Sequence, residues 1–125
     1  MSQQNVELVE RIHARWNARE STEGLVDEDF EYVNPPEAIE TGTVHGRGAL
    51  AKILEVLPDF QFEIERVVDL GDDVLVVGNV HGTSPSGIAV RDRQSYIWTI
   101  ADGRAVRFKW FRDPALALRE AGLEE

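Results

Sequence analysis

The chain has 125 residues, 42% of them hydrophobic, with 23 Asp and Glu against 13 Lys and Arg, a formal net charge of −10 and no cysteine. That length suits one domain, residues 1–125, large enough to bury a core. The charge excludes nucleic-acid and anionic-membrane surfaces, which need clustered cations, and the missing cysteines exclude disulfides, thiolate catalysis and thiolate metal sites.

Residues 4–19 read as an amphipathic helix, with Val6, Val9, Ile12 or His13, and Trp16 at three- and four-residue spacing. A short helical turn is expected over 21–26, then a strand over 30–33 and a loop over 34–46, where Pro35 and Pro36 turn the chain away. Leu50, Ile53, Leu54 and Leu57 share one face of a second helix, 47–57, stopped by Pro58. Phe60, Phe62 and Ile64 alternate with polar residues, the mark of a half-buried strand. Turns at Gly71-Asp72-Asp73 and at Ser84-Pro85-Ser86-Gly87 separate it from strands over 74–82 and 88–100. Asp102-Gly103 is a strong hairpin signal because both residues tolerate positive φ. It leads into a last strand, 104–112. Asp113 and Pro114 then suit the N-cap and first position of a closing helix that Gly122 ends.

Consecutive strands joined by tight turns pair antiparallel, and the amphipathic helices must cover a face of that sheet. The long last strands imply a sheet that twists and curls. The longest apolar runs are a few residues, so no membrane span is expected. The N-terminus lacks a basic segment followed by an apolar one, so no signal peptide is expected, and a reducing cytoplasm is the expected location. The histidines at 13, 45 and 81 show no ligand spacing, so neither metal nor cofactor is expected.

The stretches NVELVERIHARWNARE, DEDFEYVNPP, VHGRGALAKIL and YIWTIADGRAVRFKWFRDPALALREAGL together resemble the NTF2-like superfamily, in its SnoaL-like, polyketide-cyclase-like branch. The resemblance implies an α+β cone: a strongly curved, mainly antiparallel sheet with about three helices covering the concave face. It also implies a homodimer. Fold alone does not fix the chemistry. By this resemblance Phe30, Tyr32 and Asn34 look into the cone, as do Val106, Phe108, Trp110 and Arg112. Leu75, Val77, Asn79 and His81 join them, and Trp16 caps the cavity.

Ketosteroid-isomerase-like relatives use an aspartate near the end of the first strand. The matching residue here is Asn34, an amide that takes no proton near neutral pH, and the other matching positions hold Trp16 and Ser95. Epoxide-hydrolase-like relatives hold water with a Y-x-N pair, which Tyr32-Val33-Asn34 fits, but their Asp-Arg-Asp set falls on Asn79, His81 and Trp110. In a cyclase-like reading His81 is the candidate general acid/base, with Tyr32, Asn34 and Arg112 polarising a carbonyl oxygen. The expectations are a cofactor-free acid/base enzyme on an apolar carbonyl compound, a non-catalytic binder of a small apolar ligand, or a dimerisation module. The dimer would use the outer sheet face, with Arg107, Lys109 and Phe111. Residues 88–100 fit two registers: Arg93 and Ser95 inward, or Tyr96 and Trp98 inward.

Overall fold

The computed structural model describes residues 3–35 and 42–122. Helix α1, Gln3–Ala18, buries Leu8, Val9, Ile12, His13 and Trp16 along one stripe. It ends in a paired C-terminal motif: Glu20 N–H donates to Arg15 O (2.8 Å) and Arg19 N–H to Trp16 O (3.2 Å). The residue that turns left-handed there is Arg19, at φ 62°, where glycine is usual. Its guanidinium offsets the strain by donating to the carbonyls of Trp16, Asn17, Pro58 and Phe60 at 2.6–3.2 Å.

The short helix expected at 21–26 is absent. A single bridge, Glu23 to Val26, leads instead into β1, Val26–Asn34. The sequence hid the start of this strand because Asp27, Glu28 and Asp29 carry no apolar alternation; pairing with neighbours supplies its backbone bonds. The expected loop also contains a strand, β2, Gly42–His45, antiparallel to β1. The rest of that loop, residues 36–41 with Pro36, lies outside the described residues. The second helix is mainly a 3-10 segment, Arg47–Lys52, with only Ile53–Val56 as α2.

The remaining strands are β3, Gln61–Asp69; β4, Asp73–Thr83; β5, Ala89–Ala101; and β6, Arg104–Phe111. Asp102 and Gly103 turn β5 into β6 at φ 52° and 76°. The sheet order is β2-β1-β6-β5-β4-β3, antiparallel except for β1 beside β6. The closing helix α3, Pro114–Glu120, starts as expected: Asp113 Oδ1 accepts Ala115 N–H at 3.0 Å, with Pro114 first.

The α+β cone is what the structure has. Its two sheet faces carry separate cores. One lies under α1 and holds Trp16, Phe30, Phe62, Val74, Val76, Val80, Tyr96, Trp98 and Phe108. The other holds Leu75, Ile97, Phe111, Ala117 and Leu118. Strand residues alternate sides, so this second core is on the opposite face, and α3 covers that face rather than the concave one.

Three facings change accordingly. β4 pairs with β5 without interruption from Asp73 to Thr83, so Val74, Val76 and Val80 face the cone. Leu75, Val77, Asn79 and His81, expected inside, face away from it. On β6 the pairing shifts between Thr99 and Ile100, leaving Val106 as an extra residue. Ala105 then takes the inward place expected for Val106, while Phe108 and Trp110 stay inward. On β5 the even residues face in. Tyr96 and Trp98 therefore leave the outer face, and Phe111 is packed beneath α3. Of the residues expected on the outer dimer face, Phe111 is thus buried, while Arg107 and Lys109 remain on that side.

Candidate ligand site at the mouth of the cone

Inside the cone aromatic rings meet edge and face. Tyr32 lies 4.8 Å from Phe108 between ring centroids, Tyr96 4.6 Å from Phe108 and 4.5 Å from Phe62, and Trp16 4.8 Å from Phe60. In their midst sits His13, 1% exposed, parallel to Tyr96 within 6° and edge-on to Trp98. Trp98 Nε1–H donates to His13 Nε2 at 3.2 Å. An indole only donates, so this bond fixes the tautomer: Nε2 accepts and Nδ1 carries the proton. Among the described residues no partner meets Nδ1. Burial pulls the His13 pKa down to about 3, so the ring is neutral near pH 7. The sequence placed His13 on the apolar stripe but assigned it no part in the interior.

Burial falls off toward the end of the sheet where β1 and β6 finish and β5 begins. Phe30, Trp98 and Phe108 are fully buried, whereas Tyr32, Asn34, Asp92, Gln94 and Trp110 are half-buried. This is the mouth. Trp110 Nε1–H donates to Asn34 Oδ1 at 2.7 Å, and Asn34 Nδ2 donates to Gly42 O at 3.3 Å. Asn34 thus braces β1 against both neighbours while lining the mouth.

Along the inward side of β5, three polar residues two apart form a chain. Tyr96 Oη–H donates to Gln94 Oε1 at 3.3 Å, and Gln94 Nε2–H to Asp92 Oδ2 at 3.1 Å. Burial, with smaller contributions from Tyr32 and Asp92, pushes the Tyr96 phenol well above its usual pKa, so it stays protonated. Asp92 and Gln94 were missed because two registers of 88–100 alternate equally well. Once Trp98 is inward, so are both.

The structure therefore brings together Tyr32, Asn34, Phe108 and Trp110 of the expected site, and adds Asp92, Gln94 and Tyr96. Trp16 is in the same core, 5% exposed, its indole N–H bound to Leu50 O at 3.0 Å. Asn79 is elsewhere: on the outer face it donates to Glu65 Oε2 (3.4 Å), whose other oxygen pairs with Arg93 at 2.8 Å. His81 shares that outer side, beside Gln61 and Arg91. The general acid/base expected of His81 is not on the cone face. Arg112, one residue past the end of β6, stands exposed at that end of the sheet.

A separate open cleft of about 350 Å³ lies behind Trp16, lined by Arg19, Thr22, Leu50 and Leu54 among others. Among the described residues no group of three His, Asp or Glu side chains is placed to hold a metal ion. No helix of the described residues is long and apolar enough to cross a membrane.

No curated protein matches the chain significantly. Among solved structures, an NTF2-like protein of unknown function from Burkholderia pseudomallei K96243 superposes with a TM-score of 0.77 at 19% identity, covering 94% of this chain and 96% of that one. TerC, co-crystallised with polyporic acid, gives 0.75 at 26% identity, covering 95% and 98%. A putative SnoaL-like polyketide cyclase from Jannaschia sp. CCS1 gives 0.71 at 24% identity, covering 94% and 90%. The SnoaL-like domain family model matches residues 9–108, a span that runs from the stripe of α1 through every strand to Phe108, and by that match and this NTF2-like fold the chain belongs to the SnoaL-like domain family.

Proposed function

We propose that this protein binds a small, largely apolar molecule at the mouth of its cone. The observation that carries the reading is the rim itself: an aromatic wall of Tyr32, Tyr96, Phe108 and Trp110 opens to a few oriented polar groups, Asn34, Gln94 and Asp92. Small-molecule sites combine those two features. TerC, a fold neighbour, was co-crystallised with polyporic acid, which supports a small organic molecule as the ligand. The test is a nuclear magnetic resonance titration with a panel of aromatic and alicyclic compounds. The expected result is a shift of the Trp110 indole N–H signal, lost in Trp110→Leu. A panel that leaves all rim signals unmoved overturns the reading.

One observation favours a second, catalytic reading. Asp92 puts a carboxylate on the inward face, linked through Gln94 to Tyr96. Cyclase- and isomerase-like chemistry needs a base near a carbonyl compound, and Asp92 replaces His81 as its bearer. Exchange of α-hydrogens of bound ketones into D₂O measures this directly. Asp92→Asn is expected to slow exchange about 100-fold or more; equal rates in both proteins overturn the catalytic reading and leave binding. The epoxide-hydrolase-like alternative loses support, because Asn79 and His81 lie outside the cone. Homodimerisation through the outer face belongs to the proposal too, with Arg107 and Lys109 at the contact. Light scattering after size exclusion checks it, and a monomeric mass would remove it.

A further inference from the structure

The geometry points to a small organic ammonium, an amine with an apolar body, as the ligand class of this mouth. The inference rests on the reading that the mouth is the ligand site. Its argument is an inventory of what the rim can still offer. The one N–H of Trp110 is spent on Asn34, and the hydroxyl proton of Tyr96 on Gln94. One amide N–H of Gln94 goes to Asp92, and one of Asn34 to Gly42. What remains at the rim is the Asp92 carboxylate and the rings of Tyr32 and Trp110, beside the second amide N–H of Asn34 and of Gln94.

Charge agrees with this. Among the described strand residues no Lys or Arg falls on the cone face. Arg91 and Arg93 alternate outward from Asp92 and Gln94, and Arg107 and Lys109 alternate outward from Phe108 and Trp110. Lys109 is paired at 2.8 Å with Glu120 of α3, on the far side of the sheet. His13, the histidine inside, stays neutral at pH 7. The cone therefore has a carboxylate at its mouth and no positive side chain on its strands to offset it, in a chain of net charge −10. A bound anion meets Asp92, although Arg112, exposed just past the end of β6, is a cation at that end of the sheet. An ammonium meets a counter-ion and the negative faces of aromatic rings, the arrangement that holds alkylammonium groups.

The experiment uses two isosteric probes, choline and its neutral carbon analogue 3,3-dimethyl-1-butanol. Both are titrated at low salt into the intact protein and into Asp92→Asn, with the Trp110 indole signal as readout. Circular dichroism confirms that the variant is folded. Choline is expected to bind at least about tenfold tighter than the alcohol, to weaken as salt is added, and to lose that advantage in Asp92→Asn. If the neutral alcohol moves Trp110 as well as choline does, the ammonium inference is wrong while the mouth remains a ligand site. If neither probe moves Trp110, the inference is wrong, and the panel of aromatic and alicyclic compounds decides the broader reading separately.

Discussion

His13 is held in the cone by a bond that only its neutral form can accept, from Trp98. That makes it a built-in source of acid sensitivity. Its folded pKa lies near 3 against 6.5 for the free side chain. Between those values the unfolded chain binds the proton and the folded one does not. The contribution is therefore complete above about pH 6.5 and is lost as pH falls, on the order of 5 kcal/mol over the whole interval. Asp59 and Glu65 also have lowered values, from Thr83 and Arg93 bonds respectively, but carboxylates of this kind act below their ordinary values near 4. The window from pH 6.5 to 4.5 lies above both carboxylates and inside the His13 interval. Urea unfolding at both ends should show a loss of stability in the parent. In His13→Gln that loss should be smaller; an unchanged loss would assign the sensitivity elsewhere. The second residue of this kind is Gly78, under the Phe62 ring. A Cβ there would lie 2.6 Å from Phe62 Cζ and would also strike the Glu63 carbonyl oxygen. Backbone cannot yield as a side-chain tip can, so Gly78→Ala should cost roughly 1–3 kcal/mol in chemical denaturation.

At the scale of elements, the end of α1 and the start of β3 are stitched together by two side chains. β3 is the edge of the sheet, with backbone groups that a further strand would otherwise take. Asn17 fills that role for one residue: its Nδ2–H donates to Phe62 O and its Oδ1 accepts Phe62 N–H, both at 2.9 Å. Arg19 adds its four carbonyl bonds from one residue further on. Replacing Arg19 with glycine separates strain from bonding. If left-handed strain at φ 62° dominated, Arg19→Gly would stabilise the fold by about 1 kcal/mol. The four bonds outweigh it, so Arg19→Gly is expected to lower the melting temperature, and Arg19→Ala to lower it further because the strain remains. A rise in Arg19→Gly would show the clamp to be idle.

For the molecule as a whole, the sheet separates two cores with different duties. The cone side carries the aromatic wall and the mouth. The α3 side is a small aliphatic cluster, where Leu118 packs with Leu75, Ile97 and Phe111. Leu118→Ala should cost about 2–5 kcal/mol in unfolding free energy, as a buried leucine truncation does. It should nevertheless leave ligand affinity at the mouth unchanged, since no side chain of the second core reaches the first. Affinity that falls along with stability would show that the faces are coupled through the strands.

Much of this was legible in the chain. The family likeness rests on the resemblance of four stretches. The α1 stripe, the Asp102-Gly103 turn and the Asp113-Pro114 helix start rest on local periodicity and turn chemistry, which a sequence states directly. So does the pairing of Tyr32 with Asn34 two residues on. Which way β4 and β5 faced did not rest on local signals. Val74-Leu75-Val76-Val77 is apolar on both sides because both sides are covered, one by α1 and the other by α3, so alternation carried no direction. The extra residue at Val106 then passed one inward place on β6 from Val106 to Ala105 and left Phe108 and Trp110 inward. These are tertiary decisions, since facing is settled by what packs on each side and a strand's own pattern cannot say. They moved His81 and Asn79 out of the cone and brought Asp92 and Gln94 in. The sequence by itself determined that Tyr32 and Asn34 share one face of a strand, and through its resemblance implied a cone; only the tertiary structure decided which residues of β4 and β5 share that face.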